Sequence, residues 1–190
     1  MPNFSIEKNF DHNVIGIDEV GRGPLAGPVV SCACIFFDTQ LTNEELFFID
    51  DSKKLSQKKR IIAIKAIYKL KERKKIQFSL GMANVEEIDR YNILKATKIS
   101  MRRAVKKLNQ PHTQLIIDGN IDLQIENYPS RGVNKGDQKS YSIAAASIIA
   151  KIHRDRYMNF LSKKYPSYNW SSNAGYGTKK HIDEIHRNGI

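Results

Sequence analysis

The sequence predicts an α/β fold, a mixed β-sheet flanked by helices with a helical C-terminal part. Three observations point there. Two short runs rich in β-branched or aromatic residues, Val14 to Asp18 and Val29 to Phe37, come first and are separated by turn residues. Segments of helical and of strand character then alternate. Finally, a run from about Lys139 to Leu161 is apolar or small nearly all round in its first half, as expected of a helix buried against a sheet.

Taken in order, the first two runs read as a hairpin-like pair of strands. From Gln57 to about Lys74, Ile61, Ile64, Ile67 and Tyr68, with Ala63, Ala66 and Leu70 alongside, recur near helical period among lysines, and Ser56 is the natural N-cap. Ile76 to Ala83 reads as a strand. Asn84 caps a short acidic turn, VEEIDR, and an amphipathic helix follows from Ile93 to Leu108. Another strand runs through Gln114 to Asp118. After the buried helix, whose alanines and serines allow close approach, a loop from Tyr165 to Gly177 precedes a last short helix, Lys179 to Arg187. No repeat, linker or internal boundary interrupts this order, so one domain over residues 1–190 is expected, with the segment from about 160 packed on it.

The chain has 190 residues, enough to bury a core without disulfides or structural metals. Cys32 and Cys34 lie two apart in an apolar run, so on a strand they share a face and serve as small hydrophobes. No apolar run is long enough to cross a bilayer, and the N-terminus lacks a signal-peptide layout, so a cytoplasmic monomer is expected. With 31 Lys and Arg against 20 Asp and Glu, the net charge of +11 suits binding to a polyanion.

Four acids stand where strands or loops meet the rim of the domain. Asp18 and Glu19 end the first strand, Asp118 ends LIID, and Asp137 sits in NKGDQK just before the buried helix. A carboxylate at the end of a buried strand carries a desolvation cost unless it is paired or bound to a metal. Carboxylate oxygens are the ligands that Mg2+ or Mn2+ prefer, and two such ions can bracket a phosphodiester. Singly, Asp118 reads as a turn residue and Asp137 as a helix cap. The Asp18–Glu19 pair continues into a glycine-rich loop in which Gly21 and Gly23 flank Arg22, a bare backbone able to press against a phosphate or a sugar hydroxyl while the arginine adds charge. Pro24 and Pro28 stiffen it.

These residues resemble the bacterial type 2 ribonuclease H family, ribonuclease HII. The resemblance rests on GIDEVGRGPLAGPVV from Gly16, DSKKLS at Asp51 to Ser56, IIDGN around Asp118, KGDQKSYSIAAASIIAKIHRDRYM from Lys135 to Met158 and GYGTKKH at Gly175 to His181, in the family's order over most of the chain. It implies a ribonuclease H-like fold and hydrolysis of RNA in RNA/DNA hybrids and of single ribonucleotides embedded in duplex DNA, leaving 3'-hydroxyl and 5'-phosphate ends. It implies Mg2+ or Mn2+ as cofactor, two ions with substrate bound, and a role in ribonucleotide removal during replication and repair. Asp18, Glu19, Asp118 and Asp137 match the family's metal-binding, catalytic quartet. Gly21, Arg22 and Gly23 match the loop that reads the ribose 2'-hydroxyl, and Tyr176 the tyrosine that stacks by the RNA–DNA junction. Lys53 and Lys54 are expected phosphate contacts. Asp51 belongs to the outer shell of the site or caps a turn, and Lys151, Arg154 and Asp155 organise the buried helix and its surroundings. GRG argues against the type 3 enzymes, which carry a different residue in place of the arginine. Where many relatives have a basic residue before the glycine of GYGT, this chain has Ala174.

Two other classes are weighed against this. A metal-independent ribonuclease would need histidines, but His153, His181 and His186 have no evident acid/base partners and read as surface helical residues. A non-catalytic RNA/DNA-binding domain explains the charge but leaves the four acids facing a phosphate backbone that repels them.

Overall fold

In the computed structural model, residues 1–50, 52 and 54–189 are described. The elements are β1 (Val14–Val20), β2 (Val29–Phe36), the one-turn α1 (Asn43–Leu46), α2 (Gln57–Glu72), β3 (Ile76–Ala83), α3 (Val85–Leu108), β4 (Gln114–Asp118), β5 (Ser130–Val133), α4 (Tyr141–Lys164), the one-turn α5 (Trp170–Asn173) and α6 (Lys179–Asn188). The sheet runs β3-β2-β1-β4-β5. β1 pairs antiparallel with β2, and β2 with β3, whereas β1–β4 and β4–β5 are parallel, so the sheet is mixed as expected.

Strand alternation splits the core between two faces. Ile15, Ile17, Ala33, Ile35, Leu115 and Ile117 point to one side, against Met101, Ala104, Val105 and Leu108 of α3. On the other side Cys32, Cys34, Phe36 and Ile76 meet the alanines and isoleucines of α4 and the apolar stripe of α2. Two glycines allow helices to lie directly on the sheet. A Cβ on Gly81 would come within 2.0 Å of the Ser100 carbonyl oxygen in α3, and one on Gly16 within 2.3 Å of the Ser142 backbone in α4. The second contact matters for function, because it presses the start of α4 against the strand that carries Asp18.

The expected caps are present: Ser56 Oγ accepts from Lys59 N, and Asn84 forms a reciprocal pair with Glu87. The acidic turn after Asn84 is itself helical, and α3 breaks at Asn92 (φ 67°), whose Oδ1 accepts from Leu94 and Lys95 N and restarts the helix where the periodicity begins. β5 was not foreseen. Among the described residues no helix is long and apolar enough to cross a membrane.

Candidate active site

Parallel pairing builds the site. The register places Ile17 opposite Ile117, so the next residues, Asp18 and Asp118, stand side by side on the same face, Asp118 at the end of β4 and Asp18 two residues before the end of β1. The third acid arrives on a single turn of 3-10 helix, Gly136–Gln138, that leads into α4. Asp118 Oδ1 accepts from Gly136 N at 2.7 Å, which ties that turn to the end of β4 and sets Asp137 beside it. One carboxylate oxygen from each of Asp18, Asp118 and Asp137 lies within 4.8 Å of the others. Asp18 and Asp137 are buried, and Asp118 is half-buried.

Glu19 lies outside this three-residue cluster. Alternation turns it from Asp18, and its Oε1 accepts from Arg22 Nη1 at 3.1 Å. It is still close enough to act by charge. Burial, then repulsion from Glu19 and Asp118, holds the Asp18 carboxyl well above the usual carboxylate range. Two ionised carboxylates 4.8 Å apart repel by about 3.5 kcal/mol at an effective dielectric constant near 20. Such a cluster retains protons or takes a cation. Its donors are all hard oxygens, which fits Mg2+ or Mn2+ and not a thiolate- or imidazole-seeking metal.

The glycine-rich loop is fixed from behind by one side chain. Arg154 of α4 is fully buried, and its guanidinium donates to the carbonyls of Pro28 (2.9 Å), Ala26 (2.9 Å) and Ala174 (2.8 Å). Leu25 N and Ala26 N both reach Gly175 O, so the loop after β1 and the loop before α6 form one surface. Close approach explains the glycines at Gly21 (φ 107°), where a Cβ would meet Pro28 O at 2.4 Å, and Gly175 (φ 84°), where it would meet Ala26 O at 2.4 Å. Gly23 faces the Tyr176 ring, with Cε1 3.6 Å from where a Cβ would stand. Arg22 and Tyr176 are both exposed on this surface. The structure therefore brings Gly21, Arg22, Gly23 and Tyr176 together.

Lys54 is exposed in the turn before α2, and Arg60 Nη1 holds that turn through the carbonyls of Ser52 (2.9 Å) and Leu55 (2.5 Å). Lys53 and Asp51 lie outside the described residues. Ser52 Oγ meets Ser147 Oγ of α4 at 2.8 Å.

Of the three histidines, His181 departs from its reading as a surface residue, being fully buried. Trp170 Nε1 donates to its Nε2 at 2.9 Å, and an indole N–H only donates, so Nδ1 carries the proton and donates to Tyr176 O at 2.9 Å. His181 thereby holds the Tyr176 backbone and has no nitrogen left for proton transfer. Its position in a run of lysines concealed this. Arg154 was foreseen as an organiser, but its target is the two loops; the neighbouring Asp155 pairs with Lys151 at 2.8 Å.

A mixed sheet that gathers aspartates on adjacent parallel strands and the turn before α4, beside a glycine-lined surface, defines a metal-dependent phosphodiester hydrolase. Residues 15–190 match the family model described as Ribonuclease HII. The chain is 46% identical over 189 residues to ribonuclease HII of Wolbachia pipientis subsp. Culex pipiens (100% of this chain, 91% of the relative), and 46% identical over 196 residues to that of Ehrlichia chaffeensis (100% and 90%). The fold is similar to the crystal structure of ribonuclease H2 from Pyrococcus horikoshii, with a TM-score of 0.72 and 24% identity over 94% of this chain and 90% of that one. The chain belongs to the ribonuclease HII family and is a metal-dependent ribonuclease H, an endoribonuclease acting on RNA/DNA hybrids.

Proposed function

We propose that this enzyme cuts RNA in RNA/DNA hybrids and single ribonucleotides embedded in duplex DNA, leaving 3'-hydroxyl and 5'-phosphate ends, and so serves ribonucleotide removal during replication and repair. The observation that carries the reading is the convergence of Asp18, Asp118 and Asp137 within 4.8 Å. These three carboxylates would hold Mg2+ or Mn2+, two ions when substrate is bound, with Glu19 joining from the adjacent position once its carboxylate leaves Arg22. Bound there, the ions supply an activated water and neutralise charge on the phosphodiester.

The chain's own residues do the selecting. Gly21, Arg22 and Gly23 offer backbone and charge to the ribose 2'-hydroxyl and the adjacent phosphate, and Tyr176 packs against the nucleotide at the junction. The 2'-hydroxyl is what separates RNA from DNA at one position, so its reader must be rigid. Rigidity is supported by Arg154, which fixes both loops through three carbonyls, and by His181, which fixes the Tyr176 backbone. Lys53 and Lys54 would contact the phosphate backbone, within a net charge of +11. The enzyme works as one catalytic domain and as a monomer in the cytoplasm; the free, buried thiols of Cys32 and Cys34 suit a reducing compartment.

The test is an end-labelled duplex with one embedded ribonucleotide, incubated with each metal and mapped at nucleotide resolution. A single cut on the 5' side of that ribonucleotide, abolished by EDTA, is expected. Chelator-resistant cutting with cyclic phosphate products would overturn the reading.

A further inference from the structure

The segment before β1 has no role assigned above, yet it buries a carboxyl group. Glu7, on a single 3-10 turn (Glu7–Asn9), is 7% exposed. Its Oε1 accepts from Ser140 Oγ at 2.6 Å, from Ser142 N at 3.1 Å and from the Ser142 hydroxyl, 133 and 135 residues further along the chain. Asn3 adds two backbone bonds at the same place: its N–H donates to Lys139 O at 3.1 Å, and its carbonyl accepts from Tyr141 N at 3.3 Å. The N-terminal segment thus grips the first turn of α4.

Capping does not explain the grip. Ser140 already caps α4, its Oγ accepting from Ile143 N at 3.2 Å, and α2 and α6 begin on local caps of the same kind, Ser56 and Thr178. A buried carboxyl group carries a desolvation cost that a completed cap does not call for, and Glu7 Oε2 is buried with no hydrogen-bond partner among the described residues. What the grip holds is the turn that carries Asp137. Ser140 N donates to Gly136 O at 2.9 Å, and Gly136 N donates to Asp118 Oδ1 at 2.7 Å. The bonded path from Glu7 runs through Ser140 and Gly136 to Asp118, and Asp137 is the residue after Gly136. Ser142, the other partner of Glu7, is the residue whose backbone lies on Gly16, two positions before Asp18. One carboxyl oxygen therefore holds α4 at both points where it meets the elements bearing the aspartates.

We propose that Glu7 is a positioning residue for metal binding: through Ser140 and Ser142 it fixes the start of α4, and so keeps Asp137 in register with Asp18 and Asp118. This rests on the metal seat proposed above. The test is Mn2+ binding to the free enzyme, followed by the electron paramagnetic resonance signal of unbound Mn2+, alongside urea unfolding in EDTA. Glu7→Ala removes the acceptor and is expected to weaken Mn2+ binding about 10-fold, the lower end of the range for an outer-shell partner, because it acts through the backbone of the turn. Glu7→Gln keeps an acceptor oxygen but buries an amide NH2 where Oε2 has no partner, so it should lose stability and still bind Mn2+ as the parent does. Val105→Ala, in the core on the α3 side of the sheet, should likewise unfold at lower urea with Mn2+ affinity unchanged.

A merely structural Glu7 gives a different pattern, in which affinity is parental in every variant that folds. Parental affinity in Glu7→Ala, or equal losses in Glu7→Ala and Glu7→Gln, would overturn the inference while leaving the seat intact. A parent that takes up no Mn2+ would overturn the seat itself, and the inference with it. Should Glu7→Ala fail to fold, Ser142→Ala, which takes away one of the three donors, decides: a several-fold loss of Mn2+ affinity supports the grip, and parental affinity refutes it.

Discussion

Replacing Arg154 with methionine removes the guanidinium but keeps a long apolar stem in its slot. Three backbone carbonyls, of Ala26, Pro28 and Ala174, then lose their donor. A buried acceptor left unpaired costs about 1–3 kcal/mol, so three cost up to about 9 kcal/mol if nothing moves. Two effects reduce this: water reaches the loops once they part, and the variant no longer buries a cation whose desolvation already pulls its pKa down. A net loss of about 3 kcal/mol remains, or a fall of about 1.5 M in the urea midpoint for a slope near 2 kcal/mol/M. Cleavage should suffer more than folding does, because the residues released are those around Gly21 and Tyr176, and misplacement of about 1 Å costs about 100-fold. Urea unfolding and kcat/KM on a duplex with one ribonucleotide measure both quantities. A variant within 0.3 M of the parent midpoint, a margin well inside the about 1.5 M expected, with parental kcat/KM would refute the idea that one arginine unites the two loops.

Two further outcomes follow from the same geometry. Asp18→Asn should abolish cleavage yet stabilise the metal-free fold by about 1 kcal/mol, raising its melting temperature by about 2–4 °C, since it removes a buried, repelled charge. The sign with pH agrees: a carboxyl held above its usual 3.8 binds its proton more tightly when folded, so in EDTA its contribution is full below that value and is lost as pH rises through the raised native pKa. Urea titrations across that range should show a slope in the parent that Asp18→Asn flattens; equal slopes would contradict the account. Gly16→Ala should cost about 3 kcal/mol, because its methyl would stand 2.3 Å from the Ser142 backbone and α4 must move off the strand. A thermal-melt difference under about 2 °C would show that α4 does not bear on β1 as described.

Much of this was legible in the chain, and the exceptions have physical causes. Ser56 announced its helix, and Asn84 the cap of a segment read as a turn that proves helical, because capping is local chemistry. Asp18 and Asp118 stood out as acids ending apolar runs, but their adjacency depends on β1 and β4 pairing in parallel, a contact across about a hundred residues that no local pattern records. β5 escaped notice because SRGV, on the edge of the sheet, buries only Val133 and carries no alternation. Arg154 was expected to organise the buried helix together with Lys151 and Asp155, but that it turns inward to the carbonyls of two loops while Asp155 pairs with Lys151 depends on contacts far along the chain. His181 was hidden likewise, since its burial comes from Trp170, eleven residues earlier in the chain.

The most direct test of the metal seat is anomalous diffraction from crystals soaked in Mn2+. The structure predicts a manganese peak bounded by the carboxylates of Asp18, Asp118 and Asp137, absent in crystals of Asp18→Asn. Peaks only elsewhere on the surface, with those three carboxylates bare at saturating Mn2+, would contradict it.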